Sequence, residues 1–207
     1  MPGDSKEAKE MIRARHRQRR ARMASDEREE AGARLAVNGL EWAQRMAAGK
    51  ASTFCVYLGV GSEPPTVPLI TALHGQGHKV LLPVCEPDRH LSWVYWTPAV
   101  EFVRSRYAPI LEPDGVRHGL DVVAGVTALV IPATALDMSG NRIGQGGGYY
   151  DVFLASLATR VPQMPLAAMI YDEELLPAGS IPSEEFDRKV PAALMPSGLV
   201  RLADAAS

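Results

Sequence analysis

The chain is poor in the features that would assign it quickly. It has only two cysteines, Cys55 and Cys85, in 207 residues. That is too few for a disulfide framework or a zinc cluster. Both fall in apolar runs, Phe54-Cys55-Val56-Tyr57 and Leu81-Leu82-Pro83-Val84-Cys85, where a buried free thiol is expected. No apolar stretch approaches the ~20 residues that span a bilayer. The charged N-terminus does not read as a signal segment, so the expectation is a cytoplasmic protein without a membrane partner. Neither sign of charge is in excess: the formal net charge is -2, which argues against a polyanion as partner of the whole chain. The five histidines show no metal-ligand spacing. The motifs of two large nucleotide-binding classes are also missing. No Gly-Lys-Ser/Thr closes a Walker loop, and Tyr149 stands where the third glycine of a dinucleotide fingerprint would fall.

What is present is unevenly distributed. Residues 6–22 hold eight basic residues, Lys6, Lys9, Arg13, Arg15, Arg17, Arg19, Arg20 and Arg22, against Glu7 and Glu10. The rest of the chain therefore keeps 14 basic and 22 acidic residues, a basic arm on an acidic body. Residues 5–23 read as a basic helix. A second helix runs from a Ser25 cap to about Ala48, with Leu35, Trp42 and Met46 on one face and Gly49 closing it. Strands are expected over 53–58, 80–84, 91–96, 129–131, 165–171 and 192–195. Helices follow Pro68 and the glycine run, and a Pro- and charge-broken stretch covers 98–120. Trp93 and Trp96, three apart on a strand, fall on opposite faces. Alternating strands and helices imply a largely parallel sheet with both faces covered. Ligands of such sheets bind at the carboxyl ends of the strands, where two loops draw notice, Gly59 to Thr66 and Ala133 to Asp151.

The second loop contains Gly144-Gln145-Gly146-Gly147-Gly148-Tyr149-Tyr150-Asp151. It lies between the apolar run Ala128-Leu129-Val130-Ile131 and the helical repeat Tyr150, Phe153, Leu154, Leu157. Strand, glycine loop and helix start in this order aim backbone N–H groups at an anion, most often phosphate.

Three segments combine: Lys9-Glu10-Met11-Ile12-Arg13; Tyr57-Leu58-Gly59-Val60-Gly61-Ser62-Glu63-Pro64-Pro65-Thr66; and Asp137 through Asp151. In this order and spacing they resemble the 5-formyltetrahydrofolate cyclo-ligase family, also called 5,10-methenyltetrahydrofolate synthetase, over about residues 6–195. The resemblance implies one domain over residues 1–207, with N-terminal helices over 5–49 and an α/β body over 50–200. The implied fold is a three-layer α/β sandwich with a mostly parallel sheet, NagB/RpiA/CoA transferase-like, plus an N-terminal helical arm.

The implied reaction is ATP-dependent closure of 5-formyltetrahydrofolate to 5,10-methenyltetrahydrofolate, with release of ADP and phosphate in the presence of Mg²⁺. The expected substrate is the mono- or polyglutamate, the expected state a monomer or weak homodimer, and no nucleic acid is expected. Gly144, Gln145, Gly146, Gly147 and Gly148 would hold phosphate oxygens, with Arg142, Lys9 and Arg13 pairing with them. Asp151 would bind Mg²⁺. Glu63 would stabilise positive charge at N5. Tyr57, Leu58, Tyr149 and Tyr150 would line the nucleotide and folate sites. The remaining arginines of the arm read as surface.

Three positions depart from the family pattern: Val152 after Tyr-Tyr-Asp, Pro65 before the threonine, and Phe186 before Asp187. Two rival readings carry weight. One is RNA binding through the basic helix; the other is a different phosphate-ligand enzyme on a similar sheet, such as a sugar-phosphate isomerase or CoA transferase relative.

Overall fold

The structure, a computed structural model, describes residues 2–183 and 188–202. In chain order, the helices α1 (Pro2–Arg22) and α2 (Ser25–Ala47) lead into β1 (Thr53–Val56), α3 (Val67–Gly75), β2 (Lys79–Cys85) and β3 (Leu91–Trp96). There follow β4 (Phe102–Arg104), β5 (Leu111–Pro113), α4 (Leu120–Val123), β6 (Ala128–Pro132), β7 (Ala135–Asp137) and β8 (Arg142–Ile143). Then come α5 (Tyr149–Ala158), β9 (Leu166–Met169), β10 (Leu175–Leu176), β11 (Ala192–Met195) and β12 (Gly198–Arg201).

The main sheet is seven-stranded, in the order β12-β11-β9-β6-β1-β2-β3. β11, β9, β6, β1 and β2 run parallel; β12 and β3 flank them antiparallel. Parallel strands need covered faces, and the alternation of side chains supplies both. Phe54 and Val56 of β1 join Leu35 and Trp42 of α2 and Leu69, Ile70 and Leu73 of α3 in one buried layer. Cys55, between them in sequence, faces the other layer with Phe153, Leu154 and Leu157 of α5 and Val123 of α4. The expected three-layer sandwich is thus present. Trp93 lies in the α5 layer, and Trp96 packs half-buried on the α2/α3 layer, so the two are on opposite faces as expected.

The strand order reverses at β1. The chain leaves β1 toward β2 on one side and returns as β6 on the other, which opens a crevice beyond the carboxyl ends of β1 and β6.

Local details differ from the sequence reading. Ser25 is the first residue of α2 rather than its cap. Ala24 holds the cap position without a side-chain bond, and the Asp26 carboxylate instead accepts from the Glu27 N–H at 2.9 Å. Ala48, not Gly49, is the first left-handed residue after α2, with φ 49°. The stretch 98–120 contains an antiparallel hairpin, β4–β5. Its strands are three residues long, too short for periodicity to reveal. A second sheet, β10-β7-β8, also escaped the sequence reading. It is the seat of the basic arm: Ile12 of α1 packs on Ala135, Ile143 and Ile181.

Candidate active site

The loop after β1 is closed by its own polar groups. The Gly59 N–H donates to Thr66 Oγ1 at 2.8 Å, and the Tyr57 hydroxyl donates to the Pro64 carbonyl at 3.3 Å. A side chain on Gly59 would put a Cβ 2.4 Å from the Pro64 carbonyl oxygen, so the turn needs glycine there. Glu63 stands at its tip. Its carboxylate accepts from the Val60 N–H at 3.1 Å, and its backbone carbonyl accepts from the Tyr171 hydroxyl at 3.3 Å. Burial pushes the Glu63 carboxyl above the usual carboxylate range, against the pull of the Val60 N–H and Gln145. Pro65 points elsewhere, against Gly32 of α2, so this departure from the family pattern is a packing contact with a helix.

The second loop is built on Asp137. Its buried carboxylate accepts from the N–H groups of Ser139, Asn141 and Ile181 and from the Asn141 side chain, at 3.0 to 3.1 Å. Four such bonds fix the β7–β8 turn, so the first residue of the third segment is structural. The turn delivers Arg142, whose guanidinium donates to the Pro132 carbonyl at 3.4 Å and pairs with Asp151. That guanidinium lies against Gly144, where a Cβ would come within 2.7 Å of it. Gly146 and Gly148 are left-handed, with φ 99° and 76°, as a non-glycine residue rarely is. Gly148 opens α5 without any side-chain cap, leaving the first-turn N–H groups available to an anion.

Two contacts join these loops and the arm. Gln145 Nε2 donates to Glu63 Oε1 at 3.3 Å, tying the glycine loop to the first loop. Arg13 Nε donates to the Gly144 carbonyl at 2.9 Å, anchoring α1 to the same loop. Tyr150 packs in both core layers, and its buried hydroxyl has no hydrogen-bond partner among the described residues. Burial holds that phenol far above its ordinary pKa, reinforced by the charge of Glu63 and opposed by Arg142. A buried hydroxyl without a partner is a group awaiting one.

The expected residues are not equally placed. Lys9 is half-buried on α1, one turn before Arg13. Leu58 packs against the α2/α3 layer. Tyr57 is buried and committed to its own loop. Tyr149 turns outward, and its hydroxyl donates to the Tyr107 carbonyl at 3.3 Å. Asp151 is exposed in the first turn of α5, with one oxygen engaged by Arg142. The departure at Phe186, with Asp187, lies outside the described residues.

Two residues escaped the sequence reading. Arg20, expected at the surface with the rest of the arm, is buried and forks onto Glu174 at 2.6 and 2.7 Å. Arg89 folds its side chain over Gly148 from a turn in which Asp88 and Arg89 are both left-handed, φ 54° and 62°. Such strain collects at functional sites, but nothing in the string Pro87-Asp88-Arg89 announces it. Both cysteines are free and buried as expected, and burial pushes the Cys85 thiol up to about 11.

Fold and site together describe an α/β protein with a glycine-rich loop and an uncapped helix start at the switch point of its sheet. Sequence comparison names the family. The profile of the 5-formyltetrahydrofolate cyclo-ligase family matches residues 5–196, and the chain belongs to that family. The 5-formyltetrahydrofolate cyclo-ligase of Mycolicibacterium smegmatis is 33% identical over 156 residues, 72% of this chain and 77% of that protein. The Escherichia coli K12 enzyme of the same name is 30% identical over 183 residues, 87% of this chain and 96% of that protein. In architecture the chain resembles the 5,10-methenyltetrahydrofolate synthetase of Aquifex aeolicus. There the TM-score is 0.74 at 21% identity, over 96% of this chain and 95% of that one.

Proposed function

We propose that the protein catalyses ATP-dependent closure of 5-formyltetrahydrofolate to 5,10-methenyltetrahydrofolate, releasing ADP and phosphate. The observation that carries this reading is the Gln145–Glu63 contact. It brings a half-buried carboxylate against the glycine loop, as a reaction needs that makes positive charge at one atom while moving a phosphoryl group at another.

The formyl oxygen attacks the γ-phosphorus, the bond to the β-phosphate oxygen breaks, and positive charge develops on N5. N10 then attacks the activated carbon and gives up its proton. The carbon–oxygen bond breaks, and phosphate leaves. Phosphoryl transfer of this kind is governed by positioning and charge neutralisation. The α5 N–H groups and the Gly144–Gly148 backbone hold phosphate oxygens. Arg142 pairs with the transferring group, with Lys9 and Arg13 approaching from α1 and Arg89 from above Gly148. Glu63 faces N5 and stabilises its charge. The unpartnered Tyr150 hydroxyl donates to substrate.

Mg²⁺ suits Asp151: one carboxylate oxygen is not engaged by Arg142. No group of three His, Cys, Asp or Glu residues among those described could hold an ion alone, so substrate phosphates would have to complete the shell. Bound there, the ion would neutralise phosphate charge.

Part of the basic arm serves the fold rather than a partner. Arg13 and Arg20 turn inward, and Arg17 and Arg19 pair with Glu10 and Glu173.

Purified protein with 5-formyltetrahydrofolate and Mg-ATP should give an ATP-dependent rise in the near-ultraviolet absorbance of methenyltetrahydrofolate. Folded, ATP-binding protein that gives no rise would overturn the reading.

Glu63→Gln separates charge from shape. We expect turnover to fall by about 10²- to 10³-fold, the scale of losing one preorganised electrostatic group. The wild-type kcat/KM should fall with acid through a pKa above the usual carboxylate range, because only the anion supports N5. That limb should disappear in the variant. Stability moves oppositely. A raised folded-state pKa means that the folded chain holds the proton more tightly. Glu63 therefore aids folding in acid, and this aid is lost as pH rises through the folded pKa. At neutral pH, Glu63→Gln should leave Tm unchanged or higher.

A further inference from the structure

The basic arm is seated on the body along one face of α1. Ile12, His16 and Arg20 fall four residues apart and share that face. Ile12 packs on Ala135, Ile143 and Ile181. Arg20 donates to the Ala133 carbonyl at 2.8 Å and forks onto Glu174. Between them His16 is only 2% exposed, and neither ring nitrogen has a hydrogen-bond partner among the described residues. No described residue of α1 enters either main core layer. Only Met23 and Ala24 join the arm to α2. The arm can therefore leave its seat with both layers intact.

A neutral imidazole suits this seam, and an imidazolium does not. On α1 itself the charges around His16 are Arg15, Arg19 and Arg20. The turn before β10 brings Glu173, paired with Arg19 at the surface, and Glu174, committed to Arg20. On β7, Asp137 spends its carboxylate on its own turn and the Ile181 N–H. On β8, Arg142 pairs with Asp151. Tyr171, beside the Arg20 guanidinium, stays uncharged, its phenol pushed up to about 12. A proton on His16 would thus place a second cation next to Arg20, away from water. Burial holds the imidazole below its ordinary pKa, with Arg15, Arg20 and Arg19 acting in the same direction and Glu173 against them.

We infer that α1 is an acid-released arm: a proton on His16 expels its inward face from the seat and withdraws Lys9 and Arg13 from the glycine loop. Arg13 then loses its bond to the Gly144 carbonyl. Linkage gives the sign. A released histidine takes its proton at about 6.5, the docked one at a lower pH. Docking is strongest above the released value and weakens as pH falls from there toward the docked pKa. That departure of the arm lowers turnover rests on the cyclo-ligase reading above; the release itself does not.

Hydrogen exchange on the full chain, read by mass spectrometry and corrected for the intrinsic pH dependence of exchange, tests the release. One proton changes the docking equilibrium by at most about tenfold per pH unit. The protection of α1 in the wild type should therefore fall about tenfold between roughly pH 7.5 and 5.5, while α5 keeps its own. In His16→Leu, which fills the seam without a titratable group, α1 should stay protected throughout. His16→Gln, polar but never charged, should do the same, so that the response follows the proton and not the shape. In turnover assays the KM for ATP should rise in acid in the wild type only, whereas the acid limb of Glu63 persists in all three proteins. Protection that falls equally in both variants would overturn the inference and assign the response to Glu174. Unchanged protection in the wild type would overturn it as well. If protection falls as expected in a protein that does not turn over, the functional reading fails and the released arm stands.

Discussion

Arg142→Ala should lower turnover by about 10³-fold or more, the scale found when a transition-state arginine is removed from phosphoryl transfer. The fold should persist. The Arg142 side chain is only 6% exposed, but its structural bonds are few: a 3.4 Å contact to the Pro132 carbonyl and a pair with Asp151, itself 73% exposed. Losing them should cost about 1 kcal/mol. Single-turnover kinetics with saturating ATP would check this, with a thermal melt on the same sample. Near-normal turnover would remove Arg142 from the mechanism. Gly144→Ala offers a second route to the same group. The added methyl would meet the guanidinium at 2.7 Å and displace it without deleting its charge. A loss of activity with Arg142 still present would show that its position matters.

The largest stability effect is expected at Arg20. Arg20→Ala leaves Glu174 charged and buried, both side chains being only 1% exposed. Breaking such a pair from one side costs about 3–5 kcal/mol, or roughly 10 °C in Tm for a chain of this size. Burial pushes the Glu174 carboxyl up, and the Arg20 fork holds it down. Arg20 also donates to the Ala133 carbonyl at 2.8 Å, and its guanidinium lies 5.7 Å from the Tyr171 ring centroid. The Tyr171 hydroxyl in turn holds the loop of Glu63, so turnover should fall with stability. Arg20→Ala combined with Glu174→Ala should cost less than the two single changes added, because neither charge is then left alone. The readout is a double-mutant cycle by denaturant unfolding. Strict additivity would mean that the pair is not coupled.

Much of the architecture was legible because it is written locally. Apolar runs such as Leu129-Val130-Ile131 can only be buried strands, and the Tyr150, Phe153, Leu154, Leu157 repeat presents one helical face. The glycine run declared a turn and an anion cradle for the same reason: conformational freedom belongs to the residue itself. The three segments that mark the family are likewise short and contiguous.

What the sequence by itself determined was therefore the longer elements, the layering of the main sheet and the family; the short strands of the two small sheets were beyond it. Tertiary structure alone decided which of many similar charges matter. Among the arginines of α1, only the fold distinguishes Arg20, because its partner Glu174 is 154 positions away. Only the fold sets Arg89 over Gly148 and separates Tyr150, packed against both layers with its hydroxyl buried, from its neighbour Tyr149, bonded to Tyr107. Local periodicity records which face of an element is apolar. The partner of a charged side chain is set by where distant elements meet, and the desolvation of that meeting place gives the charge its energy.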